Sequence, residues 1–171
     1  MEVSLQDIKT LDDEIVITYS NNDMHVKFFS EDTYVGFDIR DGVNNQIPFE
    51  MLTDGYYGYA IRDERFPGFK LGLTEYDEKL AFFINIDGFN WFFTNNVGDG
   101  SYYHINPNGR IDKIITAPSR LFTGYERYAS GRGYIWSRTI PLLKEHLVIG
   151  SGVDTFLLEF PMQDYVNRHN Y

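Results

Sequence analysis

The stretch Glu14-Ile15-Val16-Ile17-Thr18-Tyr19-Ser20-Asn21-Asn22-Asp23-Met24-His25-Val26-Lys27-Phe28-Phe29 decides the fold class. Its first run is β-branched and aromatic, and a Ser-Asn-Asn-Asp cluster ends it; its last run alternates apolar and polar residues. Alternation with a period of two puts apolar side chains on one face of a strand, and Asn and Asp tolerate the backbone of a tight turn. Tyr34-Val35-Gly36-Phe37-Asp38-Ile39-Arg40 repeats the alternation and runs into Asp41-Gly42, another turn signal. The three runs predict a meander of hairpins.

Outward from there the pattern continues. Strands are expected at Gly58 to Arg62, Gly68 to Leu73 and Lys79 to Ile86, then through Trp91-Phe92-Phe93-Thr94 after the Asp87-Gly88 turn. Further strands are expected within Ser101 to Asn106 and Arg110 to Ile115, around Pro107-Asn108-Gly109. Short strands at this spacing predict a mainly β chain, an antiparallel sandwich or small barrel. The character changes at Pro118, so residues 1–118 read as a β-rich domain and 119–171 as a helical segment packed on or beside it. Ile135, Trp136, Thr139, Ile140, Leu142, Leu143 and Leu147 are placed to form one apolar helix face. Ser130 and Gly131 precede that helix as cap-like residues, Gly150-Ser151-Gly152 ends it, and Pro141 predicts a kink or restart within it.

Composition narrows the function. The 171 residues carry 25 acidic against 15 basic side chains, a net charge of −10, which disfavours nucleic acid as a partner. With no cysteine, disulfides, zinc thiolates and a cysteine nucleophile are excluded. No apolar run is long enough to span a bilayer, and the acidic start lacks the pattern of a signal peptide. The aromatic share of 17% leans towards β-structure. His25, His104, His146 and His169 are dispersed without metal-ligand spacing, so neither metal nor cofactor is expected. Gly131-Arg132-Gly133 and Gly150-Ser151-Gly152 do not continue as phosphate-binding P-loops. Asp12-Asp13-Glu14, Glu31-Asp32 and Asp63-Glu64 read as solvated loop acids; paired carboxylates of a hydrolase are the minor reading.

The C-terminal text is more specific. It runs Ser130-Gly131-Arg132-Gly133-Tyr134-Ile135-Trp136-Ser137-Arg138, then Gly150-Ser151-Gly152-Val153-Asp154-Thr155-Phe156, then Phe160-Pro161-Met162-Gln163-Asp164-Tyr165-Val166. This resembles the extracytoplasmic loop of the O-antigen ligase and polymerase family, whose pattern is S-G-R, a following Trp, an amphipathic helix, and G-x-G-x-x-x-F. Ile86-Asp87-Gly88-Phe89-Asn90-Trp91-Phe92-Phe93 is similar to a run in the β-rich insert of the Gram-positive branch. The likeness is strong from Ser130 to Val166 and weaker over the rest.

The resemblance implies a parent membrane protein that transfers a glycan from an undecaprenyl-pyrophosphate carrier outside the bacterial cytoplasmic membrane. This chain would be a non-catalytic soluble domain of it. Its partners would be the membrane-embedded remainder of the same chain, the lipid-linked oligosaccharide and the acceptor glycan. Arg132, with Arg138 as second candidate, would contact the donor pyrophosphate, since a guanidinium forks onto phosphate oxygens. Trp91, Tyr134 and Trp136 are candidate glycan contacts, with core packing the competing reading for both tryptophans. His169-Asn170 departs from the family, which places its catalytic histidine later. The alternative function is a stand-alone carbohydrate-binding module of a cell-surface protein.

Overall fold

A computed structural model describes residues 5–31, 34–52, 58–119, 121, 132–146, 160–161 and 163–164. The chain divides into two compact units, Met1–Ile115 and Thr116–Tyr171. The fold is mainly β with a C-terminal helix.

The first unit holds two antiparallel sheets. One is a four-stranded meander of β1 (Leu5–Thr10), β2 (Ile15–Tyr19), β3 (Asn22–Glu31) and β4 (Tyr34–Asp41). The other has seven strands in sequence order: β5 (Phe49–Met51), β6 (Gly58–Ile61), β7 (Lys70–Tyr76), β8 (Lys79–Ile86), β9 (Phe89–Thr94), β10 (Tyr103–Ile105) and β11 (Ile111–Asp112). Neither closes on itself, so the barrel alternative drops out and an open pair of sheets remains. Every neighbouring pair is consecutive in sequence, as short connections dictate.

Register follows from alternation. On the first sheet, Ile8, Ile17 and Met24 line up across strands, as do Thr10, Ile15, Val26 and Ile39, and all are buried. On the second sheet, Phe82 faces Phe93, and Ile84 faces Trp91. The two buried faces meet through rings: Phe28 lies 4.8 Å and Phe37 5.6 Å from Phe82, and Tyr19 lies 4.9 Å from Phe69. Aromatics bury large areas and favour such tilted contacts, which is where the high Phe content goes. The Tyr102 hydroxyl accepts from the Phe28 N–H at 2.7 Å and donates to the Phe28 carbonyl at 3.0 Å, fixing β3 against the second sheet's chain.

Three hairpins turn on two residues of positive φ: Ser20-Asn21 (49°, 63°), Asp77-Glu78 (50°, 59°) and Asp87-Gly88 (51°, 83°). That backbone matches the twist of the flanking strands. The Asp77-Glu78 turn extends β7 past the expected Leu73 to Tyr76, because Glu78 is not a residue that announces such a turn. Strands β1 and β5 lie outside the expected set.

In the second unit, α1 runs unbroken from Arg132 to His146 with Pro141 inside it. The restart at Pro141 is thus not seen. Pro141 removes its own N–H from the ladder and crowds the carbonyl one turn back, yet the helix continues through it, and the Thr139 hydroxyl donates to the Ile135 carbonyl at 2.7 Å. Expected features at Ser130-Gly131, Leu147, Gly150 to Phe156 and His169-Asn170 fall outside the described residues. Among the described residues no helix is long and apolar enough to cross a membrane.

Candidate functional site

In the helical unit, α1 sorts the candidate residues differently from the apolar-face expectation. Tyr134, Ser137 and Arg138 turn inward, whereas Arg132, Ile135, Trp136 and Leu143 are exposed. The expected packing of Trp136 in an apolar core is corrected: the residue is 41% exposed. The reason lies in a buried ion pair that occupies the inner face.

Arg138 is 4% exposed and donates from Nε to the Asp164 carboxylate at 2.6 Å, with Nη1 on the Ser137 hydroxyl at 2.9 Å. Its guanidinium also lies 5.1 Å from the centre of the Tyr134 ring. Asp164 is fully buried. Burying two opposite charges is tolerable only with such pairing and hydrogen bonding. Arg138 is therefore occupied within the fold, and contact with a pyrophosphate would first have to break its bond to Asp164. Tyr134 is 3% exposed, packs edge-on to Phe160 at 5.7 Å, and donates its hydroxyl to the Pro161 carbonyl at 3.4 Å. As a glycan contact Tyr134 is thereby corrected: a sugar needs an open ring face.

Arg132 stands at the first position of α1 with its side chain exposed, and the first turn carries no acid. The unpaired N–H groups of a helix start favour anions, and an exposed guanidinium beside them adds a forked donor.

In the β-rich unit Trp91 is 1% exposed, between Phe89 at 5.4 Å and His104 at 5.6 Å. The core reading holds for Trp91, and its role as a glycan contact is corrected for the same reason as Tyr134. Its neighbour Phe92 points the opposite way, beside Phe83, whose ring occupies the space that a Cβ at Gly72 would need.

The arrangement that the sequence did not expose is a groove on the outer face of the four-stranded sheet. It has a volume of about 390 Å³ and is lined by Glu14, His25, Lys27, Asp38 and Arg40, with Asn44 at one end. Even spacing along β3 and β4 puts His25, Lys27, Asp38 and Arg40 on one face, and the register sets Lys27 opposite Asp38 and His25 opposite Arg40. Glu14, expected as a solvated loop acid, instead bonds the His25 Nδ1 at 2.9 Å and lies 3.9 Å from Lys27. Arg40 donates from Nε to both Asp38 oxygens, at 3.1 and 3.0 Å. The Asp13 carboxylate at 3.2 Å holds the Lys27 ammonium above the ordinary lysine range.

The groove's end is held together by hydrogen bonds. Buried Asp41 accepts from the Asn45 N–H at 2.8 Å, the Val43 N–H at 3.1 Å and Arg65 at 3.0 Å, and these bonds bring its carboxyl down to about 2. Asp12, Asp63 and Asp99 are shifted down as well, the first two chiefly by Lys113 and Arg65 and Asp99 by the Tyr103 hydroxyl. Groups shifted this way stand as anions, the opposite of a carboxyl prepared as a general acid. Among the described residues no three His, Asp or Glu side chains come together as a metal site would require.

Compared with family models, with curated proteins and with solved structures, the chain matches none of them.

Proposed function

We propose that this chain is the extracytoplasmic domain of a polytopic bacterial membrane glycosyltransferase of the O-antigen ligase or polymerase kind. The parent protein transfers a glycan from an undecaprenyl-pyrophosphate carrier to an acceptor hydroxyl at the outer face of the cytoplasmic membrane. The domain itself carries no chemistry. It presents α1 to the lipid-linked donor, with Arg132 as the pyrophosphate contact and Trp136 as a glycan contact. Arg138 acts on that site only indirectly, by holding α1 through Asp164.

The observation that carries this reading is how the two separated stretches of the resemblance meet. The stretch beginning at Ser130 and the stretch Phe160 to Val166 close on each other through Arg138 with Asp164 and Tyr134 with Phe160 and Pro161. That closure leaves Arg132, Ile135, Trp136 and Leu143 turned outward. An exposed basic and apolar face suits a helix whose remaining neighbours are a lipid-linked anion and membrane-embedded chain. Displacing pyrophosphate without a metal needs its developing charge stabilised, and a preorganised guanidinium at a helix start supplies that.

Reading the gene on either side of this sequence tests the proposal. Apolar segments of about 20 residues on both sides, with a later His-Asn step, are expected. A frame without such segments would put the carbohydrate-binding module in its place.

A further inference from the structure

We infer that the outer face of the β1–β4 sheet is a binding site for a neutral oligosaccharide chain, with Arg40, Asp38, His25 and Glu14 at one end and Phe29 with Tyr34 at the other. The inference goes beyond the function proposed above. It concerns the β-rich unit alone and stands whether or not the parent protein is a transferase.

The lining selects the chemistry. A groove of about 390 Å³ falls in the size range of small-ligand sites. Its charges are already matched: Arg40 bonds Asp38, Lys27 lies between Asp13 and Glu14, and the His25 ring is hydrogen-bonded to Glu14. A strongly charged ligand would have to break those pairs and pay for the partner left behind. A polyol need not. Each carboxylate keeps lone pairs beyond those used by its partner, and of the five N–H groups of the Arg40 guanidinium the one on Nε bonds Asp38 and one on Nη1 donates to the Asn44 carbonyl at 3.4 Å. The result is fixed donors beside fixed acceptors, and a pair of neighbouring sugar hydroxyls offers the complementary acceptor and donor.

The same face supplies an aromatic platform. Phe29 pairs with Gly36 across β3 and β4, one step on from the Lys27–Asp38 pair. A Cβ at Gly36 would come within 2.9 Å of the Phe29 ring and 3.2 Å of the Tyr34 hydroxyl, so the missing side chain is what lets both rings settle over the sheet. Tyr34 is 61% exposed and its ring centre lies 5.4 Å from that of Phe29, inclined at 31°. The two rings are tilted against each other, Phe29 half-buried and Tyr34 exposed, and together they offer an apolar surface to the C–H face of a sugar. From Gly36 to Arg40 the strand rises ~13 Å at about 3.3 Å per residue, so an occupant touching both ends is a chain of sugars and not one ring.

The test uses the 171-residue chain. It is first screened on an array of neutral glycans with gluco-, galacto-, manno- and N-acetylhexosamine linkages, with polygalacturonate as the acidic comparison. The best neutral glycan is then titrated against the ¹⁵N-labelled chain. Expected are saturable shifts centred on His25, Lys27, Phe29, Tyr34 and Arg40, with Tyr34→Ala and Arg40→Gln each weakening binding about tenfold, near 1.4 kcal/mol. Both positions are exposed enough for the variants to fold, which an otherwise unchanged spectrum verifies. The inference is overturned by no shifts on this face at ~10 mM of any neutral glycan, where a Kd near 1 mM would be saturated. Binding of polygalacturonate alone, abolished by salt, also overturns it, as does binding that both variants leave intact.

Discussion

Replacing Arg138 with Met keeps most of the side-chain stem but removes the charge that faces Asp164. The two side chains are 5% and 0% exposed and their atoms 2.6 Å apart, so the buried carboxylate left behind loses this charge-assisted bond. Removing one member of a buried pair costs about 3–5 kcal/mol. At ~4 kcal/mol, and 1.4 kcal/mol per tenfold, the population of locally opened α1 rises ~1,000-fold. Hydrogen exchange over peptides spanning Arg132 to His146 reads this directly as lost protection. Arg132→Met, at an exposed position, is expected to change protection by about twofold or less, the range of surface substitutions. The double variant Arg138→Met with Asp164→Leu should recover most of the protection, because an apolar pair of similar volume removes both desolvation costs. The reasoning is refuted if Arg138→Met exchanges no faster than Arg132→Met, or if the double variant is as exposed as the single one.

Other expectations concern the β-rich unit. Phe82→Ala removes the ring that touches Phe28, Phe37 and Phe93, and should cost about 4 kcal/mol, lowering the melting temperature by ~15 °C in calorimetry. Phe92→Ala, on the exposed face, should cost ~1 kcal/mol or less. Glu78→Gly relieves a left-handed φ of 59° and should add about 0.5 kcal/mol of stability after the entropy of glycine is counted, read as a higher urea midpoint. Asp41 has its carboxyl lowered from 3.8 to about 2, so its contribution is full above 3.8 and is lost as pH falls towards 2. Asp41→Asn should therefore flatten acid unfolding across that window, followed by circular dichroism; an unchanged acid limb would count against the assigned bonds.

The first meander was legible because a β-branched run is followed by two alternating runs, with a Ser-Asn-Asn-Asp cluster after the first and an Asp-Gly step after the third, each with a direct backbone reason. Strand β1 was not, since Leu5-Gln6-Asp7-Ile8-Lys9-Thr10 offers few apolar residues and depends on β2 for its pairing. The inward face of α1 was misread because apolar periodicity cannot register an arginine buried by an aspartate 26 residues away. Trp91 shows the converse: its place between Ile84 and His104 follows from strand alternation. The groove needed the register, since Glu14, His25, Asp38 and Arg40 are unremarkable until three strands bring them together.

The most direct test of the central claim is glycan transfer by the protein encoded in the complete reading frame, reconstituted in vesicles with an undecaprenyl-pyrophosphate-linked glycan and an acceptor. The account predicts transfer by the unaltered protein. It predicts a loss of about 100-fold or more in Arg132→Ala, the scale of removing one preorganised donor from a developing charge, with partial activity in Arg132→Lys. Full activity in Arg132→Ala, or no transfer by the intact protein, would contradict it.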